Sequence, residues 1–248
     1  MDNLQNLVAA TKEKQEREEK NGIGTYKEKT VHAVLKQYYE PDEAYQEQRI
    51  GGYVADICRD GHIIEIQTRS FYRLKDKLEA FLALGDVTVV YPIPYMKWVI
   101  WLKDAQSKEE VSRRKSPKKG SVYDVMRELY GIKTYLSHPN FHLKLVLLNM
   151  EEYRLLNGWS HDRKRGSKRF DRIPLEIVNE ITLNETADYV MLLPPELEEV
   201  FTTTDYSKAA KITIKNARTA LHILAYLGVI KKVGKKGNTI LYSVSDPR

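Results

Sequence analysis

The dipeptide Asp60-Gly61 lies between two short strand-forming runs, Tyr53–Cys58 and Ile63–Gln67. It predicts a two-residue hairpin turn, because both turn positions need positive φ, which Asp tolerates and Gly adopts freely. Such a turn fixes the register: Cys58 faces Ile63, Asp56 faces Glu65 and Val54 faces Gln67, while Ile57 faces Ile64 and Ala55 faces Ile66. Strand side chains alternate, so Ala55, Ile57, Ile64 and Ile66 form an apolar layer suited to packing under helices. The other face sets Asp56 against Glu65, with Gln67 beside them.

Two carboxylates opposed on neighbouring strands repel and destabilise the pairing. A divalent cation between them removes the conflict, and hard oxygen ligands suit Mg²⁺. A metal there would also activate a water and stabilise charge on a phosphoryl oxygen. The register therefore points to a metal site at Asp56 and Glu65. From the residues alone two alternatives stay open: a pair of solvated carboxylates, or a longer turn that separates them.

The surrounding pattern predicts a mixed sheet covered by helices. A helix is expected over about Lys27–Tyr39, with Val31, Val34, Leu35 and Tyr38 on one face and Pro41 beyond its end. Another is expected over about Phe71–Leu84, with Leu74, Leu78, Phe81 and Leu82 inward. Strands follow at Val87–Tyr91 and Trp98–Leu102, then a polar, basic stretch from Ser107 to Gly120, a helix over Val122–Tyr130 and a strand over His142–Met150. Residues 2–20 read as a charged helix of weak periodicity ending at Asn21-Gly22, so that residues 1–24 form a charged arm or helix, either flexible or dependent on a partner. Residues 25–160 form the first domain, 161–172 a basic linker, and 173–248 a second domain opened by supporting helices before Pro195.

Composition bounds the setting. Hydrophobic residues make up 42% of the chain, enough for a folded core, and 40 Lys and Arg against 34 Asp and Glu give a formal charge of +6, which suits a phosphate-rich partner. Cys58 is the one cysteine, so no internal disulfide forms and a reducing compartment is expected. The polar N-terminus lacks a secretory run, and the most apolar stretch, Val87–Leu102, is interrupted by Pro92, Pro94 and Lys97. A soluble, cytoplasmic protein without a membrane span is expected.

Asp56, followed by Glu65-Ile66-Gln67 on the next strand and preceded by Glu28 on a helix, resembles the PD-(D/E)XK nuclease pattern. The run Glu65-Ile66-Gln67-Thr68-Arg69-Ser70 is also similar to the Glu-aromatic-Gln-x-Ser run of competence-associated nucleases. The resemblance covers about Tyr26–Leu102 and implies a restriction-endonuclease-like α/β fold. It implies that Asp56 and Glu65 bind Mg²⁺ or Mn²⁺, that the backbone carbonyl of Ile66 completes the metal shell, and that Glu28 assists. Gln67 stands where the superfamily has lysine and carries no charge. Some restriction endonucleases of this superfamily have Gln there and cleave; it would orient the attacking water, and Lys77 on the following helix would supply a displaced cation.

The C-terminal region follows a separate pattern. A short helix over Tyr206–Lys211 precedes a longer one over Ile214–Leu227, with Ala217, Ala220, Leu221, Leu224 and Leu227 as its buried stripe. Strands at Val229–Val233 and Thr239–Val244 flank Gly234–Asn238. Helix, turn, helix and basic hairpin resemble a winged helix. That family usually inserts the second helix in the major groove and sets the wing on phosphate, which implies DNA contacts for Lys215, Asn216, Arg218 and Thr219 on the helix and Lys235 and Lys236 on the wing. Asn and Arg suit base edges, and Lys suits phosphate. Together the two resemblances imply a metal-dependent endonuclease acting on duplex or branched DNA, compatible with a homodimer. A non-catalytic DNA-binding regulator on a nuclease-like platform and a winged-helix scaffold for protein partners are the alternatives.

Overall fold

In a computed structural model, residues 2–20, 29–103, 109–156 and 168–245 are described. The main sheet is mixed and flanked by helices, with strand order β1-β2-β3-β4-β6-β7 and β5 alongside β4. Its strands are β1 (Gln46–Ile50), β2 (Tyr53–Arg59), β3 (His62–Ile66), β4 (Val87–Leu102), β5 (Glu110–Lys115), β6 (Phe141–Leu155) and β7 (Lys168–Leu183). A second sheet of three strands has the order β8-β10-β9, from β8 (Val200–Phe201), β9 (Ile230–Lys236) and β10 (Thr239–Val244). The helices are α1 (Asp2–Lys20), α2 (Thr30–Tyr39), α3 (Lys75–Leu82), α4 (Met126–Leu129), α5 (Thr203–Ala209) and α6 (Ile214–Tyr226). No helix among the described residues is long and apolar enough to cross a membrane.

The chain clusters into two compact units. The first holds residues 1–46, 92–121 and 146–180; the second holds 47–91, 122–145 and 181–248.

In the second unit the hairpin forms with the expected register. Ile57 pairs with Ile64, Cys58 with Ile63 and Arg59 with His62, across a turn in which Asp60 has φ 50° and Gly61 φ 81°. A second glycine pins this turn: a Cβ at Gly85 would lie 2.4 Å from the Gly61 carbonyl oxygen, so only glycine permits the approach. His62 Nε2 also meets Thr88 Oγ1 at 2.8 Å. β3 then pairs in parallel with β4, from Ile63 opposite Val87 to Ile66 opposite Val90. The expected apolar layer is buried at Ala55, Ile57 and Ile66, but Ile63 and Glu65 on the opposite face are buried as well. β3 is covered on both sides, α3 reaching the Glu65 face through Lys77.

Helix α3 follows the predicted stripe, with Leu74, Leu78, Phe81 and Leu82 buried; its first turn, Phe71–Leu74, is 3₁₀. β4 is one sixteen-residue strand where two were expected. Pro92 and Pro94 lie between its pairing with β3, which ends at Val90, and its antiparallel pairing with β5, which begins at Trp98. Their missing N–H groups therefore cost neither of these ladders a bond. The basic stretch after Ser107 contributes strand β5 rather than a loop.

In the first unit, the charged helix expected over residues 2–20 is α1, whose Leu4 and Val8 pack with Val34 and Ile173 rather than leaving it an unattached arm. Of the expected linker, residues 161–167 lie outside the described residues, while its end and the supporting helices are corrected. Lys168–Leu183 is strand β7, paired with β6 in the main sheet, and only the short 3₁₀ segment Thr186–Leu192 precedes β8.

Candidate active site

The even-numbered amides of β3 face β2, because the odd-numbered ones face β4: Ile63 N–H donates to Asp86 O at 2.8 Å and Gln67 N–H to Val90 O at 2.9 Å. Beyond the Ile57–Ile64 pair the expected ladder gives way to side-chain bonds. Ile66 N–H donates to Asp56 Oδ2 at 2.7 Å, and Asp56 N–H donates to Glu65 Oε1 at 3.2 Å. The two carboxylates are thus neighbours through side-chain bonds rather than through the expected Asp56–Glu65 ladder pair, each held by a backbone amide of the opposing strand.

Glu65 is buried, with 4% of its side chain exposed, and Lys77 Nζ donates to its Oε2 at 2.6 Å. Burial, then the neighbouring Asp56 carboxylate, pushes the Glu65 carboxyl up to about 7, against the opposing pull of Lys77 and the Asp56 amide. A carboxyl poised there exchanges a proton near neutral pH, as a general acid or base requires. The Lys77 ammonium also lies 5.5 Å from the centre of the Phe81 ring, so an apolar surface backs the ion pair.

The other candidates at this site fall out as follows. Gln67 Nε2 donates to the Arg69 carbonyl at 2.6 Å, so its donor end is turned back onto its own chain. The cation beside Glu65 is Lys77, from α3. Glu28 lies outside the described residues. Among the described residues no three His, Cys, Asp or Glu side chains gather as a metal-holding group. A metal at this place would have as donors Asp56 and Glu65, two hard-oxygen carboxylates, with the Ile66 carbonyl on the strand between Glu65 and Gln67. Mg²⁺ is commonly held by one or two carboxylates and otherwise by water, so this set fits it.

The family "Domain of unknown function (DUF8091)" matches residues 29–184. The chain belongs to the DUF8091 family. The DUF8091 match ends one residue after β7, at the last strand of the main sheet, and contains Asp56, Glu65, Gln67 and Lys77. A protein of Treponema pallidum (strain Nichols), described as an uncharacterized protein, is 29% identical over 226 residues, spanning 91% of this chain and 88% of its own. No solved structure matches.

Beyond the DUF8091 region, α6 buries Ala217, Ala220, Leu221, Ile223 and Leu224, while Leu227 is half-buried. Lys215 and Arg218 are exposed, and Asn216 and Thr219 are half-buried. The Thr219 hydroxyl donates to the Lys215 carbonyl at 3.2 Å, and Thr213 Oγ1 caps the helix by accepting from Asn216 N–H at 3.3 Å. Farther along the face of Lys215 and Arg218, His222 Nε2 meets Lys133 Nζ at 3.0 Å, and Lys133 lies 5.0 Å from the centre of the Tyr226 ring. Lys235 and Lys236 are exposed on β9, joined by exposed Lys231 and Lys232, which the sequence reading did not single out.

Proposed function

We infer that the chain is a metal-dependent phosphodiesterase acting on DNA, with Asp56 and Glu65 as its carboxylates. One observation carries this reading: a two-residue hairpin delivers both carboxylates to one place, burying Glu65 beside Asp56 and a lysine. A buried carboxylate beside a second carboxylate costs stability, which makes the pair a candidate for function rather than for scaffolding. Asp56 and Glu65 would hold the metal with the Ile66 carbonyl. When bound, Mg²⁺ would supply an activated water and stabilise charge on the phosphoryl oxygens.

The chain's own groups then have separate tasks. Glu65, with its carboxyl near 7, would give up its proton on taking the metal. Lys77 supplies the positive charge that Gln67 lacks, and its ammonium would stabilise negative charge at the reacting phosphate. Gln67 braces the segment to Arg69 through its amide.

The three-stranded C-terminal sheet, with α5 and α6 between β8 and the β9–β10 hairpin, supports a winged-helix reading. Lys215, Asn216, Arg218 and Thr219 would face the groove, and Lys235 and Lys236 the phosphates. A second reading, a non-catalytic DNA-binding regulator, draws on the Lys77 ammonium already seated on Glu65 Oε2. Nicking of supercoiled plasmid, and cutting of branched and single-stranded DNA, with Mg²⁺ or Mn²⁺ decides between them. Cleavage that Asp56→Ala and Glu65→Ala both abolish in folded protein supports the enzyme. DNA retention without any cleavage favours the regulator.

A further inference from the structure

In the unit that holds residues 92–121 and 146–180, four cationic side chains from β4, β6 and β7 converge on one carboxylate. Glu152 on β6 has 0% of its side chain exposed. Lys97 Nζ lies 3.2 Å from its Oε2, Arg169 Nε and Arg172 Nε each 3.4 Å from the same oxygen, and Arg154 Nη2 2.5 Å from Oε1. These five groups sum to +3, four cations less one carboxylate. Neutralising a single buried carboxylate takes one cation, or a bidentate guanidinium. Gathering four means that each added cation is placed against the repulsion of the others.

The electrostatics show that repulsion. Glu152 is pulled down to about 2 by Lys97, Arg169 and Arg154 despite its burial. Lys97 is nevertheless held below the usual lysine range, by burial first, with Arg172 and Arg154 adding to it while Glu152 opposes. The cations, unlike the carboxylate, reach solvent: 22% of the Lys97 side chain is exposed, 20% of Arg154, 17% of Arg172 and 41% of Arg169. The carboxylate sits beneath, and the cationic side chains reach outward from it.

We propose that Lys97, Arg154, Arg169 and Arg172 form a binding site for a dianionic phosphate group, with Glu152 as the buried post that orients them. Guanidinium forks match phosphate oxygens in pairs, and an ammonium adds a point charge. A phosphate monoester presents three unesterified oxygens to these donors and a phosphodiester two, so the monoester engages more of them. Two sources carry that chemistry, the phosphorylated end of a nucleic acid strand and a free phosphate species. The site does not depend on the nuclease reading, since it shares no residue with Asp56, Glu65 or Lys77.

Calorimetric titration of the full chain at low salt tests this, with inorganic phosphate and with matched oligonucleotides bearing a 5′-phosphate or a 5′-hydroxyl. Wild type binds inorganic phosphate. Arg169→Ala, at the most exposed of the four positions, keeps its melting temperature and weakens that binding about tenfold, the loss of one charge-assisted bond. Tighter binding of the 5′-phosphate oligonucleotide than of its 5′-hydroxyl twin, abolished in Arg169→Ala, identifies a nucleic acid end as the source. Equal oligonucleotides with retained phosphate binding identify a free phosphate species. No phosphate binding by wild type overturns the site, as does wild-type affinity in both Arg169→Ala and Lys97→Met.

Discussion

Glu65 and Glu152 are both glutamates on strands of the main sheet, and both are buried, yet their carboxyls move in opposite directions. Glu65 has one lysine and a second carboxylate beside it, and rises to about 7. Glu152 has four cations around it and falls to about 2. Burial opposes the charged form in each case, so the neighbours decide the outcome. One carboxylate is held ready to take a proton near neutral pH; the other is a permanent anion that anchors cations.

The largest expected effect tests the anchoring role. Glu152→Ala leaves four cations clustered around no carboxylate and should cost about 3–5 kcal/mol, the usual penalty for removing one partner of a buried pair. Urea denaturation at pH 7 measures it. A loss below about 1 kcal/mol would mean that the cations relax freely into solvent.

The second effect separates the two glutamates by the sign of their pH dependence. Glu65, raised above its unfolded value, favours folding below the ordinary carboxylate range, and that contribution is lost as pH rises through about 7. Glu152, depressed, contributes above the ordinary range and loses its contribution as pH falls towards about 2. Glu65→Gln should therefore gain on wild type by about 2 kcal/mol between pH 5 and pH 8, while Glu152→Gln should lose its disadvantage only in acid. Stability curves of the two variants that run in parallel with pH would dissolve the contrast.

The hairpin was legible because Asp60-Gly61 dictates its own turn, and the register followed from it through three pairs. The switch at Asp56 from ladder to side-chain bonding was not, since it depends on how β2 and β3 separate beyond Ile57. β7 left a readable signal, Ile173, Leu175, Ile177, Ile181 and Leu183 alternating at a period of two, which Pro174 and the preceding basic residues disguised as a boundary. Pro92 and Pro94 misled in the same way, because a proline between two partners breaks neither ladder. The cluster at Glu152 draws on three strands distant in sequence, and no local pattern announces that kind of convergence.

A smaller effect sharpens the Glu65 side of the contrast. Lys77→Met keeps an apolar stem against Phe81 but removes the 2.6 Å bond. It should destabilise by about 1–2 kcal/mol at pH 8, where Glu65 is ionised, and by less at pH 5, where it is protonated. Equal losses at both pH values would assign Lys77 a packing role alone. Smallest of all, Lys235→Ala with Lys236→Ala should leave stability within about 0.5 kcal/mol, because both side chains are exposed. If the wing touches DNA, the pair should still lower the salt-dependence slope by up to about 0.9 per lost phosphate contact, read by fluorescence anisotropy.

Joint binding of a divalent metal by Asp56 and Glu65 is measured by titration calorimetry with Mn²⁺. A carboxyl near 7 must lose its proton to ligate, so binding at pH 7 should release protons, visible as different apparent enthalpies in two buffers of different ionisation heat. Wild type is predicted to bind one Mn²⁺ with that release. Asp56→Asn should bind far more weakly, and Glu65→Gln more weakly and without proton release. Mn²⁺ binding of equal strength in all three proteins, or none in wild type, would rule out a metal site at this pair.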